Sequence, residues 1–502
     1  MAKTNAKAIK EQVERLTSPL DYEIGEAAII LAAGHGKRIR SRRSKMLHRI
    51  WGVPTVERVF NACVSNGDLM NVVFVVGNKA ADVMAVIGAR ERTAFAYQEE
   101  QLGTGHAVRV GLEKIDETKF DGVLYVLPGD MGLIDRETLG MFKEKFRELE
   151  ADMLVLTGLY EGPIEDNSYG RILRVKEKDV NGEPAGEDAG KVVEVVEHKD
   201  ILALAEDETY RARYRGKTYA YTKRELLETR EFNSSVYAFD FRKLVDLVHA
   251  IKDENAQGEI YLTDLIGIFN DEGCVVRAIS PREQHVIMGF NDKTVLKQME
   301  QLHRQKVYDR IRNVIEIDDP EDFFIHEEVV ERILELDAAG KPLDIRIGKG
   351  AYVGKGVKPN YNLELMKNAF VEGNVRFGKN VTVWSNTHLS CYPSQEFAIG
   401  DDVEILWGDI IKGSIVIGEG SRIESSVNMT GSDEFPLRIG KNVLIKGTSY
   451  LFGSVVEDGV KIEHSVLIKK HVYLQRNRKG EPQPVKFYLP LPSGADAVED
   501  LQ

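Results

Sequence analysis

A six-residue spacing of aliphatic side chains in the second half of this sequence restricts its fold most strongly. Ile405, Ile411, Ile417 and Ile423 lie six residues apart. The same spacing recurs across about 120 residues, at Ile347, Val353, Val371, Phe377, Val383, Ile439, Ile445, Ile462 and Ile468. Such a hexapeptide repeat is typical of a parallel β-helix, in which stacked aliphatic side chains fill the interior. An ordinary β-sandwich would instead show a period of two residues and more turn residues.

The first half of the sequence has a different pattern, in which short apolar runs alternate with helical segments. The runs predicted as strands are 27–31, 72–76, 123–127, 153–157 and 236–239, and the predicted helices include 9–16, 55–66, 136–149 and 203–231. This alternation predicts an α/β fold with a mostly parallel sheet and helices on both faces. Ligands of such sheets bind beyond the carboxyl ends of the strands.

These patterns divide the 502 residues into five predicted segments. The segments are an N-terminal helical extension (1–21), an α/β domain (22–292), a helical connector (293–342), a β-helix (343–475) and a C-terminal tail (476–502).

Charge and composition argue against several classes of partner. The formal net charge is −13, whereas nonspecific binding to nucleic acid or anionic membranes requires a basic surface. No apolar run approaches the roughly 20 residues of a membrane span, and the N-terminus lacks the apolar core of a signal peptide. The three cysteines lie far apart, with neither a disulfide framework nor metal-ligand spacing. We therefore expect a cytoplasmic protein with no nucleic-acid or membrane partner.

A glycine-bearing loop after the first predicted strand marks a candidate phosphate site. The run Leu31–Arg38 contains two glycines, and Lys45 follows seven residues later. Unpaired backbone N–H groups in such loops bind phosphates. The Walker pattern fails because a leucine replaces its first glycine, and the dinucleotide fingerprint fails because Ile39 replaces its third. A tight turn is the plainer interpretation, but the cations Lys37, Arg38 and Lys45 favour a triphosphate site in so acidic a chain.

Further polar clusters follow along the first half of the chain, and any one of them alone fits an ordinary polar surface. They are Gln98, the turn 101–107, Gly129 with Asp130, and the segments 167–172, 195–200, 232–235 and 255–264. Taken in this order with the first loop, they make residues 27–278 resemble the sugar-1-phosphate nucleotidyltransferases. The resemblance is strongest to the N-acetylglucosamine-1-phosphate uridyltransferase domain of the bifunctional bacterial enzyme.

The resemblance implies a Rossmann-like nucleotidyltransferase domain followed by a left-handed parallel β-helix. It implies that Arg38 and Lys45 face the triphosphate as catalytic cations, and that Asp130 and Asn255 hold Mg²⁺. The substrate-binding residues that it implies are Leu31, Ala32 and Gly34 for the uridine, Gln98, Gly103 and Thr104 for the uracil, and Gly170, Glu197 and Asn233 for the sugar.

The chemistry of nucleotidyl transfer agrees with these residue types. The reaction needs in-line placement of its substrates and neutralisation of charge on the α-phosphate and the departing pyrophosphate. Lys45 and Arg38 supply positive charge, and one carboxylate with one amide oxygen suits Mg²⁺, which keeps several waters. The sugar phosphate is already ionised, so the reaction requires no general base.

Four departures from the family pattern affect the predicted sugar pocket more than the phosphate site. Pro128 replaces the usual tyrosine before Gly-Asp, Gly132 stands where proline is common, and Ser235 replaces a glycine. The segment between Asp200 and Asn233 is also longer than usual. The sequence therefore predicts the reaction type more firmly than the identity of the sugar.

The β-helix carries a partial likeness to an acetyltransferase. In the bifunctional relatives this domain is a trimer that acetylates glucosamine 1-phosphate with a histidine base. His388 resembles that base, and the segment Asn428–Gly431 resembles the one that positions it. Met429 lacks the expected hydroxyl, and the acidic tail lacks the expected cations. We interpret His388 as a surface residue and expect a homotrimer whose acetyltransferase is lost or altered.

The resulting hypothesis is an enzyme that makes UDP-N-acetylglucosamine and pyrophosphate from UTP and N-acetylglucosamine 1-phosphate with Mg²⁺. Two enzyme alternatives remain open at this point, a second acetyltransferase activity and a different sugar 1-phosphate or nucleotide. A scaffold that binds a nucleotide sugar without turnover is the non-enzyme alternative.

Overall fold

The computed structural model describes residues 2–34, 36, 39–64, 70–253, 255 and 258–487. Arg38 and the part of the predicted tail beyond residue 487 lie outside the described residues. The chain divides into two compact units, Met1–Glu300 (unit 1) and Gln301–Gln502 (unit 2). No described helix combines the length and the apolar character needed to cross a bilayer.

Unit 1 is built around a nine-stranded sheet. The strands of unit 1 used below are β1 (Glu26–Ala32), β2 (Asn71–Val76), β3 (Thr93–Tyr97), β4 (Val123–Pro128), β5 (Met153–Leu159), β6 (Arg171–Arg174), β7 (Val192–Val196), β8 (Thr209–Tyr214), β9 (Lys217–Thr222), β10 (Glu231–Asp240) and β11 (Val276–Ile279). The strand order is β11-β5-β10-β4-β1-β2-β3, and β6 and β7 form an antiparallel pair attached to β10. Short strands Arg49–Ile50 and Val53–Pro54 form a separate pair.

Apart from the antiparallel pair β6 and β7, the sheet is parallel except at β10, which runs antiparallel to β4, β5 and β6. β1 and β4 are parallel neighbours, and Leu31 lies opposite Pro128 at their carboxyl ends. The loop containing Gly34 and the loop containing Asp130 therefore leave the sheet at the same edge. This is the edge at which ligands of α/β sheets bind, so the sequence-based prediction of an α/β fold is confirmed.

Helices cover both faces of this sheet. In chain order they are α1 (Ala2–Leu16), α2 (Thr55–Val64), α3 (Ala80–Ile87), α4 (Thr104–Leu112), α5 (Arg136–Glu148), α6 (His198–Ala203), α7 (Lys223–Glu228), α8 (Phe241–Leu247) and α9 (Leu265–Asp271). Two more helices come later in the chain, α10 (Lys293–Ile311), which begins in unit 1 and continues into unit 2, and α11 (Glu327–Asp337) in unit 2. Ile30 of β1 is fully buried in the core with α2 and α5, and Ile29 in the core with α4 and α9. Each such side chain stabilises the fold by about 2 kcal/mol relative to an exposed one.

The prediction of a helix over 203–231 is wrong for most of that stretch. The structure has a β-hairpin, β8 and β9, and only α7 is helical. The side chains of Ala212 and Tyr214 are buried while Arg213 between them is exposed, which is the period of a strand. Arg215 and Gly216 both have positive φ, as a two-residue hairpin turn requires.

Unit 2 is a left-handed parallel β-helix with three sheets. The first sheet contains Glu316–Ile317, Arg346–Ile347, Leu363–Leu365, Val381–Val383, Glu404–Ile405, Arg422–Ile423, Leu444–Ile445 and Lys461–Ile462. The second sheet contains Phe324–Ile325, Tyr352–Val353, Phe370–Glu372, His388–Ser390, Ile410–Gly413, Asn428–Gly431, Tyr450–Phe452 and Val466–Ile468. The third sheet contains Val375–Arg376, Phe397–Ile399, Ile415–Ile417, Leu437–Ile439, Val455–Val456 and His471–Val472.

The hexapeptide prediction is confirmed in the middle of the β-helix and fails near its end. Ile405, Ile411, Ile417 and Ile423 are all at most 1% exposed. Ile468 is 42% exposed, and Leu467 fills the interior instead. Leu451 pairs with Leu467, only 16 residues away, whereas Leu363 pairs with Val381 over 18 residues. The last coils are therefore shorter than three hexapeptides, which shifts the interior position by one residue.

The segment predicted as a helical connector also contains strands. Between α10 and α11, Glu316–Ile317 pairs with Arg346–Ile347, and Phe324–Ile325 pairs with Tyr352–Val353. The pairing of the β-helix thus begins before residue 342.

Candidate active site

The loop after β1 leads into a short 3₁₀ turn, Lys45–Leu47, which sets the position of Lys45. Met46 and Leu47 anchor this turn in the core, and the Thr55 hydroxyl donates a hydrogen bond to the Met46 carbonyl oxygen at 3.1 Å. Gly36 has a φ of +59°, and a Cβ atom there would lie 2.8 Å from the Cβ of Lys45. Glycine is required at such an approach, so the loop packs closely against Lys45.

Lys45, Asp130 and Asn291 form a cluster of directly contacting side chains. The Lys45 ammonium group forms an ion pair with Oδ2 of Asp130 and donates a hydrogen bond to Oδ1 of Asn291 at 3.0 Å. The side chains of Lys45 and Asp130 are only 12% and 15% exposed. One positive charge is thus held by a carboxylate oxygen and an amide oxygen in a pocket that is mostly shielded from solvent.

Asn291 is a candidate site residue that the sequence analysis missed. It follows Phe290, over whose ring the Lys45 Nζ lies at 5.4 Å from the centroid. A Cβ atom at Gly289 would lie 3.6 Å from Oδ2 of Asp130, so this segment packs against the carboxylate. The only sequence signal is an amide residue after the buried turn Gln284–Ile287, and no strand precedes it to mark a ligand-binding edge.

Asn255, which the resemblance assigns to the metal, closes its own loop. Its Nδ2 donates to the carbonyl oxygen of Glu259 at 2.5 Å, and its Oδ1 accepts from the Glu259 N–H at 3.2 Å. Both ends of the amide are therefore bonded to one backbone residue. The neighbouring Ile260 carbonyl accepts from the N–H of Gly105 at 2.8 Å, which places this loop beside the turn around Gly103.

The residues expected to contact the base are brought together at that turn. Gln98 is 3% exposed, and its Nε2 lies 3.2 Å from the Gly103 carbonyl oxygen. The Thr104 hydroxyl accepts from the N–H of Leu262 at 3.0 Å. Gln101 donates to the carbonyl oxygen of Ala33 at 2.8 Å, which ties the turn to the loop after β1. Of the residues expected to line the uridine, Leu31 and Ala32 end β1, and Gly34 lies in the loop that follows.

The residues expected to contact the sugar form a second group. The N–H of Asn233 donates to the carbonyl oxygen of Gly170 at 3.0 Å. A Cβ atom at Gly170 would lie 2.8 Å from Cγ1 of Val195 and 3.1 Å from both carboxyl oxygens of Glu197, so Gly170 packs closely against these two side chains. Burial, followed by repulsion from Asp200, Asp264 and Glu259, raises the pKa of Glu197 to about 7.

Arg171 holds the segment in front of Gly170. Its side chain is fully buried, and it donates to the carbonyl oxygens of Tyr169 and, at 2.7 Å, Asn167. Its Nε has no hydrogen-bond partner among the residues that the structure describes, and burial lowers the pKa of the guanidinium. The Tyr169 ring stacks on Phe232 at 4.4 Å. A buried cation bonded only to carbonyl oxygens is unusual, and here it fixes the loop that presents Gly170.

Comparisons with known proteins show which family the chain resembles. Residues 28–218 match the family model of the MobA-like NTP transferase domain. The bifunctional protein GlmU of Acetivibrio thermocellus is 31% identical over 423 residues, covering 83% of this chain and 80% of that protein. The bifunctional protein GlmU of Clostridium novyi is 30% identical over 477 residues, covering 89% of this chain and 94% of that protein.

The chain belongs to the GlmU family. It is a nucleotidyltransferase, and the substrates of this family are a nucleotide and a sugar phosphate. Identity near 30% extends over both the α/β domain and the β-helix, since the alignment with the Carboxydothermus hydrogenoformans GlmU covers 89% of this chain and 99% of that protein.

One departure from the GlmU pattern lies at a backbone position with positive φ. Ser235, where the family has glycine, has a φ of +66°. It lies at a bulge, where the pairing of β10 with β5 shifts between Asn233 and Val236. Glycine adopts positive φ without strain, so serine strains the backbone next to the candidate sugar residue Asn233.

In the GlmU acetyltransferase pattern, the candidate base His388 requires its positioning segment nearby. Here His388 pairs with Ile410, and Ile410 pairs with Asn428. Ile410 therefore lies between the two within one chain. The His388 ring stacks on Phe370 at 4.6 Å, and its Nε2 lies 2.9 Å from the Ser390 hydroxyl. Burial lowers the pKa of the His388 imidazole, with a smaller contribution from Lys412.

Proposed function

We propose that this GlmU family member is a Mg²⁺-dependent uridylyltransferase that converts UTP and N-acetylglucosamine 1-phosphate into UDP-N-acetylglucosamine and pyrophosphate. The observation that supports this most directly is the contact of Lys45 with both Asp130 and Asn291. It joins a phosphate-binding cation to two oxygen donors at the edge where the glycine loop also ends.

The donor set fits Mg²⁺. Oxygens of Asp130 and Asn291 already converge on one positive group, the Lys45 ammonium. Mg²⁺ prefers few carboxylate ligands together with phosphate oxygens and waters. We therefore propose Asp130 and Asn291 as the metal ligands, in place of the pair Asp130 and Asn255. When bound, the ion would neutralise charge on the phosphates.

Lys45 would then turn from the carboxylate to the triphosphate. There its charge would stabilise the transition state, as fixed cations do in phosphoryl transfer. Arg38 is proposed to act beside it. An oxygen of the sugar phosphate attacks the α-phosphorus, and pyrophosphate leaves with the electron pair of the broken bond. The shielding of Lys45 and Asp130 strengthens each of these electrostatic interactions.

The base and sugar groups would orient the two substrates for this attack. Gln98, Gly103 and Thr104 offer amide, backbone and hydroxyl groups to the uracil, and Leu31, Ala32 and Gly34 would line the uridine. Gly170, Glu197 and Asn233 offer groups that can bond to sugar hydroxyls and an acetamido group. Holding reacting groups in line contributes a large share of catalysis in such transfers.

A substrate panel tests the assignment. Pyrophosphate release is measured with each of the four common nucleoside triphosphates and a set of sugar 1-phosphates. We expect UTP with N-acetylglucosamine 1-phosphate to give the highest kcat/KM. A higher value for another sugar phosphate or nucleotide would replace the substrate and keep the reaction class. Tight binding of UDP-sugar without release at any Mg²⁺ concentration would contradict the proposal.

We also propose that the β-helix assembles a homotrimer and does not transfer acetyl groups. Several large apolar side chains are exposed on its surface, at Trp407, Ile410, Val416, Tyr450, Val455 and Ile468. Light scattering of the full chain should give three times the monomer mass. Release of free thiol from acetyl-CoA with glucosamine 1-phosphate, abolished by His388→Ala, would contradict the second part.

A further inference from the structure

The side-chain amide of Gln98 bonds to two acceptors at the start of α4. Gln98 is 3% exposed, and its Nε2 lies 3.2 Å from the carbonyl oxygen of Gly103 and 3.1 Å from Nδ1 of His106. Gly103 is the N-cap residue of α4, and His106 lies in the first turn of this helix. The family resemblance assigns a role to Gln98 and to Gly103, but none to His106.

These two contacts fix which end of the Gln98 amide faces the helix. A carbonyl oxygen can only accept a hydrogen bond, so the amide atom beside Gly103 is the nitrogen Nε2 and not the oxygen Oε1. One hydrogen of Nε2 then bonds to Gly103 and the other to His106. Nδ1 of His106 must accept this second hydrogen, which requires a neutral ring with its proton on Nε2, because both nitrogens of an imidazolium are donors.

The oxygen end of the same amide is left for a ligand. Among the residues that the structure describes, none donates a hydrogen bond to Oε1 of Gln98. Acceptors on residues as buried as Gln98 nearly always have a donor, so Oε1 is suited to a donor on the bound base. The ring nitrogen N3 of uracil carries a hydrogen and is a donor, whereas N3 of cytosine is an acceptor.

We propose that His106 positions the Gln98 amide so that Oε1 accepts from N3–H of uracil, and that this makes the site select uridine over cytidine nucleotides. His106 acts through Gln98 and is therefore a positioning residue. If the amide turned over, Nε2 would face N3 of the base, which would favour cytosine and repel uracil. This inference rests on the proposed function, since it takes UTP as the nucleotide substrate.

Other contacts hold the start of α4 independently of the His106 side chain. The carbonyl oxygen of Gly103 also accepts from the N–H of Ala107 at 3.1 Å, and the hydroxyl of Thr104 accepts from the N–H of Leu262 at 3.0 Å. We therefore expect the turn and the helix to stay folded when the imidazole is replaced. A changed nucleotide preference in such a variant would report the orientation of the amide and not the loss of the turn.

Nucleotide preference of the full chain tests the proposal. The ratio of kcat/KM for UTP to that for CTP is measured by pyrophosphate release, and calorimetry with UMP and CMP repeats the comparison without turnover. His106→Leu removes the acceptor, and His106→Asn is the matched control because its Oδ1 can accept from Gln98 in place of Nδ1. Gln98→Leu and the double variant with His106→Leu complete the set, and circular dichroism melting establishes that each variant is folded.

We expect His106→Leu to lower the UTP-to-CTP ratio by about fivefold, because Gly103 alone then orients the amide. The change should appear in KM for UTP, while KM for the sugar phosphate stays within about twofold. His106→Asn should keep the ratio within about twofold of the parent. Gln98→Leu should lower the ratio at least as far as His106→Leu, and the double variant should match Gln98→Leu, since both changes remove the same contact.

An unchanged ratio in folded His106→Leu would overturn the proposal. So would an equal loss in His106→Asn, or a double variant whose loss is the sum of the two single losses. The outcome is separate from that of the proposed function. A preference for UMP over CMP that depends on His106, in a chain that releases no pyrophosphate from UTP, would support the positioning role and remove the uridylyltransferase assignment.

Discussion

The α/β unit and the β-helix unit differ in how they bring distant residues together. In unit 1, Lys45, Asp130 and Asn291 come from three parts of the chain, and Lys45 contacts both of the others. In unit 2, His388 and Asn428 lie in the same column of the second sheet, with Ile410 between them. Strands two steps apart in a sheet are separated by about 10 Å, so the second pair cannot make a hydrogen bond.

The cause of the difference is topological. Parallel strands of unit 1 release their loops at one edge, and segments inserted elsewhere, such as the hairpin β8–β9, leave that edge unchanged. In a β-helix each coil stacks on the one before, so one additional coil separates every pair that spans it. Sites at a sheet edge therefore tolerate insertions that destroy a site on a coil.

The largest effect is expected from removing the charges of the unit 1 site. Lys45→Ala and Asp130→Ala should each lower kcat/KM for pyrophosphate release by about a thousandfold or more, because each charge acts on the reacting phosphates. Initial-rate kinetics measures the loss, and thermal melting checks that the fold survives. Activity within tenfold of the parent in either folded variant would place the reaction elsewhere.

A smaller effect, on the Mg²⁺ concentration that the reaction needs, distinguishes the two candidate amide ligands Asn291 and Asn255. Asn291→Ala should raise the Mg²⁺ concentration needed for half-maximal rate by roughly 10- to 100-fold, as loss of groups around a metal commonly does. Asn255→Ala is the matched control and should leave this concentration within about threefold, since its amide bonds to Glu259. The reverse ranking would restore Asn255 as the ligand.

Arg171 offers a test of sugar positioning. Arg171→Met removes the hydrogen bonds to Asn167 and Tyr169 and should raise KM for the sugar phosphate about tenfold with little change in KM for UTP. Arg171→Lys, which keeps a donor, should recover part of the loss. Equal increases in both KM values would indicate general destabilisation.

The buried carboxyl of Asp409 predicts how the stability of the β-helix depends on pH. It is fully buried, and burial raises the pKa of its carboxyl to about 8. Between the ordinary carboxyl pKa of 3.8 and about 8 the folded state binds more protons than the unfolded state, so the free energy of unfolding falls as pH rises and levels off above that window. Asp409→Asn, which keeps an acceptor for the Val427 N–H, should stabilise the fold by about 2 kcal/mol at pH 9 and little at pH 4. Chemical denaturation of both proteins at the two pH values measures this, and an equal effect at both would exclude the linkage.

The smallest effect is expected at His388. His388→Ala should leave pyrophosphate release unchanged within error, because the residue belongs to the coil surface in unit 2. Parallel assays of pyrophosphate release and of free-thiol release measure nucleotidyl transfer and acetyl transfer in this variant. A specific loss of thiol release would show that the coil retains a transferase despite Ile410.

The sequence predicts those parts of the fold that follow from local periodicity. The buried strand β1 and the interior isoleucines such as Ile405 and Ile411 show their period directly. The hairpin β8–β9 was not predicted because its charged and aromatic residues alternate in a segment rich in helix formers. Ile468 was wrongly predicted to lie in the interior because a shortened coil shifts the register, and no local signal marks the shift.

The candidate site likewise contains residues that the sequence could predict and residues that it could not. Lys45 and Asp130 could be predicted because each follows a recognisable strand end. Asn291 could not, since it precedes α10 and reaches the pocket only through tertiary packing of Phe290 and Gly289. Conversely, Asn255 has the right chemistry for a metal, yet its bonds to Glu259 depend on a loop closure that spacing does not reveal.

A crystal structure of the chain with UTP and Mg²⁺ would test the central claim most directly. We expect one ion coordinated by oxygens of Asp130 and Asn291 at about 2.1 Å, with the Lys45 ammonium turned from the carboxylate onto the phosphates. An ion held by Asn255, or a triphosphate bound away from Lys45, would contradict it.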